Sequence, residues 1–77
     1  MTTRSILLTT EWQRIADSSS SGLIQVLSGI AYLCSSDSTP TPEQPAHPRT
    51  GDINFDGINV YGRAGKQPVT IIVTTSN

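Results

Sequence analysis

Charge, aromatic rings, sulfur and imidazole are all scarce in this chain. Lys, Arg, Asp and Glu together make up 14% of its 77 residues, and Phe, Trp and Tyr 5%. A single cysteine, Cys34, leaves no partner for an internal disulfide. One cysteine and one histidine, His47, are too poor a donor set for a structural zinc site. The cations Arg4, Arg14, Arg49, Arg63 and Lys66 are dispersed, whereas binding a phosphate backbone calls for clustering, so nucleic acid is not an expected partner. No apolar run approaches the roughly 20 residues of a membrane-spanning helix, so no membrane is expected either. Ile6-Leu7-Leu8 is shorter than the apolar segment of a secretion signal. The expectation is a chain made in a cytoplasm that stays soluble, and Cys34 as a single thiol fits a reducing compartment.

Catalytic chemistry is equally thin. His47 sits between Ala46 and Pro48 in a proline-rich stretch, a poor place to hold a general base within reach of a substrate. Gly57, Gly62 and Gly65 match neither a phosphate loop nor a nucleophile elbow nor a dinucleotide fingerprint. The serine run at residues 18–21 reads as a solvated loop rather than as a nucleophile or phosphorylation site, because no histidine lies near it in sequence. An enzyme is therefore not expected, and no cofactor is implied.

One motif invites a metal reading. Asp52, Asn54, Asp56 and Gly57 follow the D-x-N-x-D-G opening of a calcium loop and are similar to the calcium-binding repeat of dockerins. The twelfth position should supply a bidentate carboxylate, and it is Arg63; the ninth is Val60. The same residues are better read as a β-turn with a polar tip. Asp56-Gly57 between INF and INV is a hairpin signal, since a type I′ turn requires positive φ at both central residues.

What the chain does have is β-branched and alternating. Residues 5–10 (SILLTT) predict a first strand, with Thr2-Thr3 as a frayed arm. Residues 11–16 predict a turn or short strand that inserts Trp12 into the core as an anchor, an exposed binding aromatic being the other reading. LIQVLS and IAYLC, either side of Gly29, predict two strands meeting in a tight hairpin or a bulged corner. A helix over residues 23–33 competes, but Gly29 and the β-branched content weigh against it. Residues 58–63 and 69–74 predict two more strands joined by a second turn at Ala64-Gly65-Lys66-Gln67, with Pro68 at a strand start. Within residues 23–28, Ile24 and Val26 share one face and Leu23 and Leu27 the other. Residues 69–74 are two-sided in the same way, with Ile72 opposite Val69, Ile71 and Val73. Apolar residues on both faces call for a second layer or a neighbouring subunit.

Residues 35–51 form a proline-rich loop, with Pro40, Pro42, Pro45 and Pro48 excluding a helix or a central strand. Pro42-Glu43-Gln44-Pro45 fits a PxxP ligand, a pattern common by chance. A loop that touches a partner and a bland linker are the two main readings. Arg63 is the one charge inside a dense strand, either solvent-facing or bonded across an interface.

The fold expected is all-β: a small sandwich or barrel-like single domain over residues 1–77, with about six short strands and one long proline-rich loop. A domain this small buries only about 60% of the surface its unfolded chain exposes. With no disulfide or metal to help, oligomerisation is the expected support.

The order of these segments also carries a resemblance. A strand ending in Thr9-Thr10, then Trp12-Gln13-Arg14-Ile15-Ala16, Ile24-Gln25-Val26, a proline-rich loop, Val60-Tyr61-Gly62-Arg63-Ala64 and a Val-Thr-Ile-Ile-Val-Thr tail resembles small β-rich virion structural proteins of tailed bacteriophages. Gly62 departs from the pattern, which has a residue such as alanine there. The resemblance implies a non-enzymatic particle protein of the capsid-decoration, head-fibre or tail-associated kind, made in the host cytoplasm and located in the virion. It implies a homo-oligomer, a trimer being favoured, that docks on other virion proteins. Ile24, Val26, Tyr61, Arg63, Ile72, Pro42, Pro45, His47 and Pro48 are the candidate subunit or partner contacts. Other readings are a receptor- or glycan-binding fibre tip, using Trp12, Tyr32 and Tyr61, and a small cytoplasmic regulator made during infection.

Overall fold

The computed structural model describes residues 1–76, and every regular element among them is a strand. They are β1 (Thr2–Leu8), β2 (Gln13–Ala16), β3 (Ser21–Cys34), β4 (His47–Asp56), β5 (Val60–Ala64) and β6 (Val69–Thr75). All pairings are antiparallel, in the order β1-β6-β3-β5-β2, with β4 on the other side of β3. β3 is the shared spine. Residues 22–26 pair with β6 and residues 31–34 with β5, while β4 runs along its opposite edge.

β3 cannot be straight. Its 14 residues would extend about 43 Å at the usual strand rise, yet the longest dimension of the molecule is 31 Å. The bend falls at residues 27–30, where the β3–β4 register slips and Gly29 takes φ +76°. The other strands break at the same level, β1 from β2 at residues 9–12 and β5 from β6 at residues 65–68. The Ala64 N–H donates to the Thr9 carbonyl at 2.6 Å across this crease. The result is a single sheet curled into a half-barrel.

The crease also corrects parity. Val26 and Ala31 are an odd number of positions apart and would face opposite ways in a regular strand. The irregularity between them lets both point inward. Ile24, Val26, Val69, Ile71, Val73 and Leu8 from one half meet Ala31, Leu33, Val60, Ala64 and Ile15 from the other, with Phe55 of β4, in one buried cluster. Each large aliphatic side chain so buried contributes about 1.5–3 kcal/mol.

Several expectations change. Residues 23–33 are one bent strand, so the bulged corner replaces the hairpin, and the helical reading falls with it. Asp56-Gly57 is not a hairpin turn. β4 and β5 do not pair, Gly57 has positive φ (+64°) but Asp56 does not, and the Gly57 N–H donates to the Ser20 carbonyl at 2.9 Å as the chain crosses the end of β3. Residues 64–67 likewise do not reverse the chain, because β5 and β6 each pair with a different half of β3. Thr2 and Thr3 are not a loose arm; they pair with Thr75 and Thr74. The proline-rich loop ends before His47, five residues earlier than its composition indicates, because β4 is an edge strand paired with β3 alone, where a proline is tolerated.

Candidate interaction faces

Two outward surfaces follow from this curl. On the β1–β6–β3–β4 half, the register sets Ser5, Ile72, Gln25 and Asp52 in one row across four strands, and Thr3, Thr74, Leu23 and Asn54 in the next. Leu7 stands beside Thr70 on the same face, and Leu27 continues the β3 column. Asp52 is the only charge in those two rows. Leu7 and Leu27 are each 55% exposed and Leu23 37%. The hydroxyls of Thr3 and Thr74 bond each other at 2.9 Å, so even the polar residues here are partly paired within the sheet. Apart from Asp52, the surface is a neutral hydroxyl-and-aliphatic face with Ile72 near its middle.

On the other half the outer face carries an aromatic–cation stack. Tyr32 of β3 lies opposite Arg63 of β5 in register. The Arg63 guanidinium carbon sits 5.0 Å from the Tyr32 ring centroid and 5.1 Å from that of Trp12. Contacts of this kind contribute about 0.5–2 kcal/mol depending on desolvation. Arg63 Nη1 donates to the Ala64 carbonyl at 3.4 Å, while its Nε is buried without a hydrogen-bond partner. The Trp12 indole N–H donates to the Thr41 carbonyl at 3.0 Å, and neighbouring Pro40 is buried. The proline-rich loop is thereby tied down beside Trp12, where Pro42 helps line a cleft of about 300 Å³.

The predicted residues thus divide. Ile24 and Val26 are core residues, 0% and 7% exposed, and cannot meet a partner; the inward face of β3 claimed them. Trp12 is not the core anchor. It is half-buried on the outer face, and Leu8 and Ile15 hold the inner positions on either side of it in sequence. Tyr61 is buried, opposite Cys34 in register. Arg63 is bonded within its own chain rather than left open. Ile72 is half-buried on the neutral face; Pro42, Pro45, His47 and Pro48 are exposed. Leu7, Leu23 and Leu27 were not singled out as contacts, although their alternation with Ile6, Ile24 and Val26 was the available signal.

Burial raises the Cys34 thiol pKa, partly offset by the positive charge of Arg63. Asp52, Asn54 and Asp56 alternate along extended β4 rather than wrapping a centre, and Asp56 accepts a hydrogen bond from the Ser21 hydroxyl. Among the described residues no three His, Cys, Asp or Glu side chains are grouped to hold a metal. No protein-family model, curated protein or solved structure matches this chain.

Proposed function

We propose that this chain is a non-enzymatic structural protein of a bacteriophage particle, which self-associates and docks on capsid or tail proteins. The observation that carries the self-association is the neutral outer face around Ile72, where Leu7, Leu23 and Leu27 stay exposed while Asp52 alone contributes charge to the central rows. Such a face loses little charge solvation when covered, and its uniform composition suits pairing with a copy of itself. The placement in a virion is supported by the sequence resemblance. Mass spectrometry of purified particles tests it: the reading expects the chain at multiple copies per particle, and its absence from particles overturns it.

A second reading, a glycan-binding tip, is favoured by the half-exposed Trp12 and Tyr32 rings on one surface. Against it, both rings already hold Arg63, and the indole N–H is taken by Thr41. A glycan array separates the two readings, since the structural one expects no binding.

A further inference from the structure

Leu8, Ile6 and Arg4 alternate along the inner face of β1, opposite Val69, Ile71 and Val73 of β6. Exposure rises along that row, from buried Leu8 through half-buried Ile6 to exposed Arg4. Arg4 therefore puts a guanidinium on the face that elsewhere builds the core, at the mouth of the half-barrel. It donates from Nη2 across that mouth to the Ile15 carbonyl of β2. One of its five N–H donors is used in this way, which leaves the rest of the fork for another acceptor.

The mouth is a cleft of about 390 Å³. Arg14 lines it too, as do the hydroxyl-bearing Thr2, Ser20 and Thr75. The one carboxylate among its described lining residues, Asp17, is engaged locally: Oδ1 accepts from the Ser19 N–H at 3.0 Å, from the Ser19 hydroxyl, and from the Ser20 hydroxyl at 3.5 Å. The Arg14 charge also acts on that carboxylate, which already has three donors, and Arg4 adds a second cation to the cleft. Among the described lining residues the cations outnumber the carboxylate, and the remaining Arg4 N–H donors match an acceptor-only anion.

We propose that this cleft binds a compact oxyanion, the carboxylate or phosphate group of a small ligand, with Arg4 as the bidentate fork and Arg14 as the second cation. The test is an NMR titration of the full chain at low ionic strength with inorganic phosphate and, separately, with acetate, against sodium chloride at matched ionic strength. The expected result is saturable shifts confined to the amides of Arg4, Ile15, Ala16, Asp17 and Ser20. Arg4→Gln and Arg14→Gln each weaken binding at least tenfold, and Arg4→Lys, which keeps the charge but not the fork, also weakens it. Arg14 is exposed, so its variant keeps the fold even if Arg4→Gln does not. Tighter binding of one probe identifies the group as phosphate or carboxylate. Failure of both to saturate, an equal response to chloride, or affinity unchanged in Arg14→Gln and Arg4→Lys overturns the proposal and leaves an adventitious ion only.

Discussion

A methyl group added at Gly22 would meet a nearer atom than one added at any other glycine. Gly22 pairs with Phe55 of β4 and Thr75 of β6. A Cβ there would lie 1.9 Å from the Thr74 carbonyl oxygen and 2.9 Å from its carbon. Carbon–oxygen contacts settle at roughly 3.3–3.6 Å, so β6 would have to retreat by about 1.5 Å. These are backbone atoms with no rotamer to absorb the shift, and the end of the β3–β6 ladder would open. Two or three ladder bonds at about 1 kcal/mol each put the loss near 3 kcal/mol, out of roughly 4–12 kcal/mol for a domain of this size. Gly62→Ala is the internal comparison. Its Cβ would meet Ile15 Cδ1 at 2.5 Å and Leu33 Cδ2 at 3.1 Å, both ends of side chains that can turn aside. Its cost should be about 1–2 kcal/mol. Urea unfolding followed by circular dichroism measures both. The expected order is wild type, then Gly62→Ala, then Gly22→Ala, with the second loss clearly the larger. A Gly22→Ala protein within about 0.5 kcal/mol of wild type would mean that β3 and β6 do not approach this closely.

Three further outcomes follow from individual contacts. Trp12→Phe keeps a ring over Arg63 but removes the donor to Thr41, so exchange of the Gln44 amide, which donates to the same Thr41 carbonyl, should accelerate while global stability falls by no more than about 1.5 kcal/mol; unchanged exchange there would show that the bond does not hold the loop. Hydrogen bonds from Ser19, chiefly, hold the Asp17 carboxyl below its ordinary value of 3.8. A depressed folded-state pKa stabilises above the unfolded value and is lost as pH falls through the folded one, so Asp17→Asn should flatten the stability loss below about pH 4, and an unaltered acid limb in urea titrations would contradict this. Cys34, with its thiol pKa raised by burial, should react with a thiol reagent at neutral pH more slowly than a free cysteine and speed up on unfolding; equal rates in folded and unfolded protein would show that it is open.

The class of fold was legible because alternation is local. β-branched residues at period two in residues 69–74, and Gly29 between two apolar runs, announce strands and a bend. The crease was not legible as a whole. It requires that residues 9–12, 27–30 and 65–68 break at one level, and no segment of sequence carries information about another segment's register. Asp56-Gly57 misled for the same reason. Its turn chemistry is real at Gly57, but which strand follows in space depends on β3 closing underneath, through the Ser20 carbonyl. Trp12 was misplaced because size favours burial, whereas the neighbouring Leu8 and Ile15 had already filled the inward positions and Arg63 offered the indole a cation on the outside. Ile24 and Val26 were assigned to a partner because apolar residues on both faces of a strand do not say which face the protein keeps for itself.

Sedimentation velocity of the wild-type chain and of Ile72→Lys, across micromolar concentrations, decides whether the chain self-associates through the Ile72 face. Lysine places a charge in the middle of the neutral face without touching the buried cluster. Association through this face gives a concentration-dependent oligomer for wild type and a folded monomer for the variant. A wild-type protein that stays monomeric throughout, or a variant that associates as strongly as wild type, would contradict it.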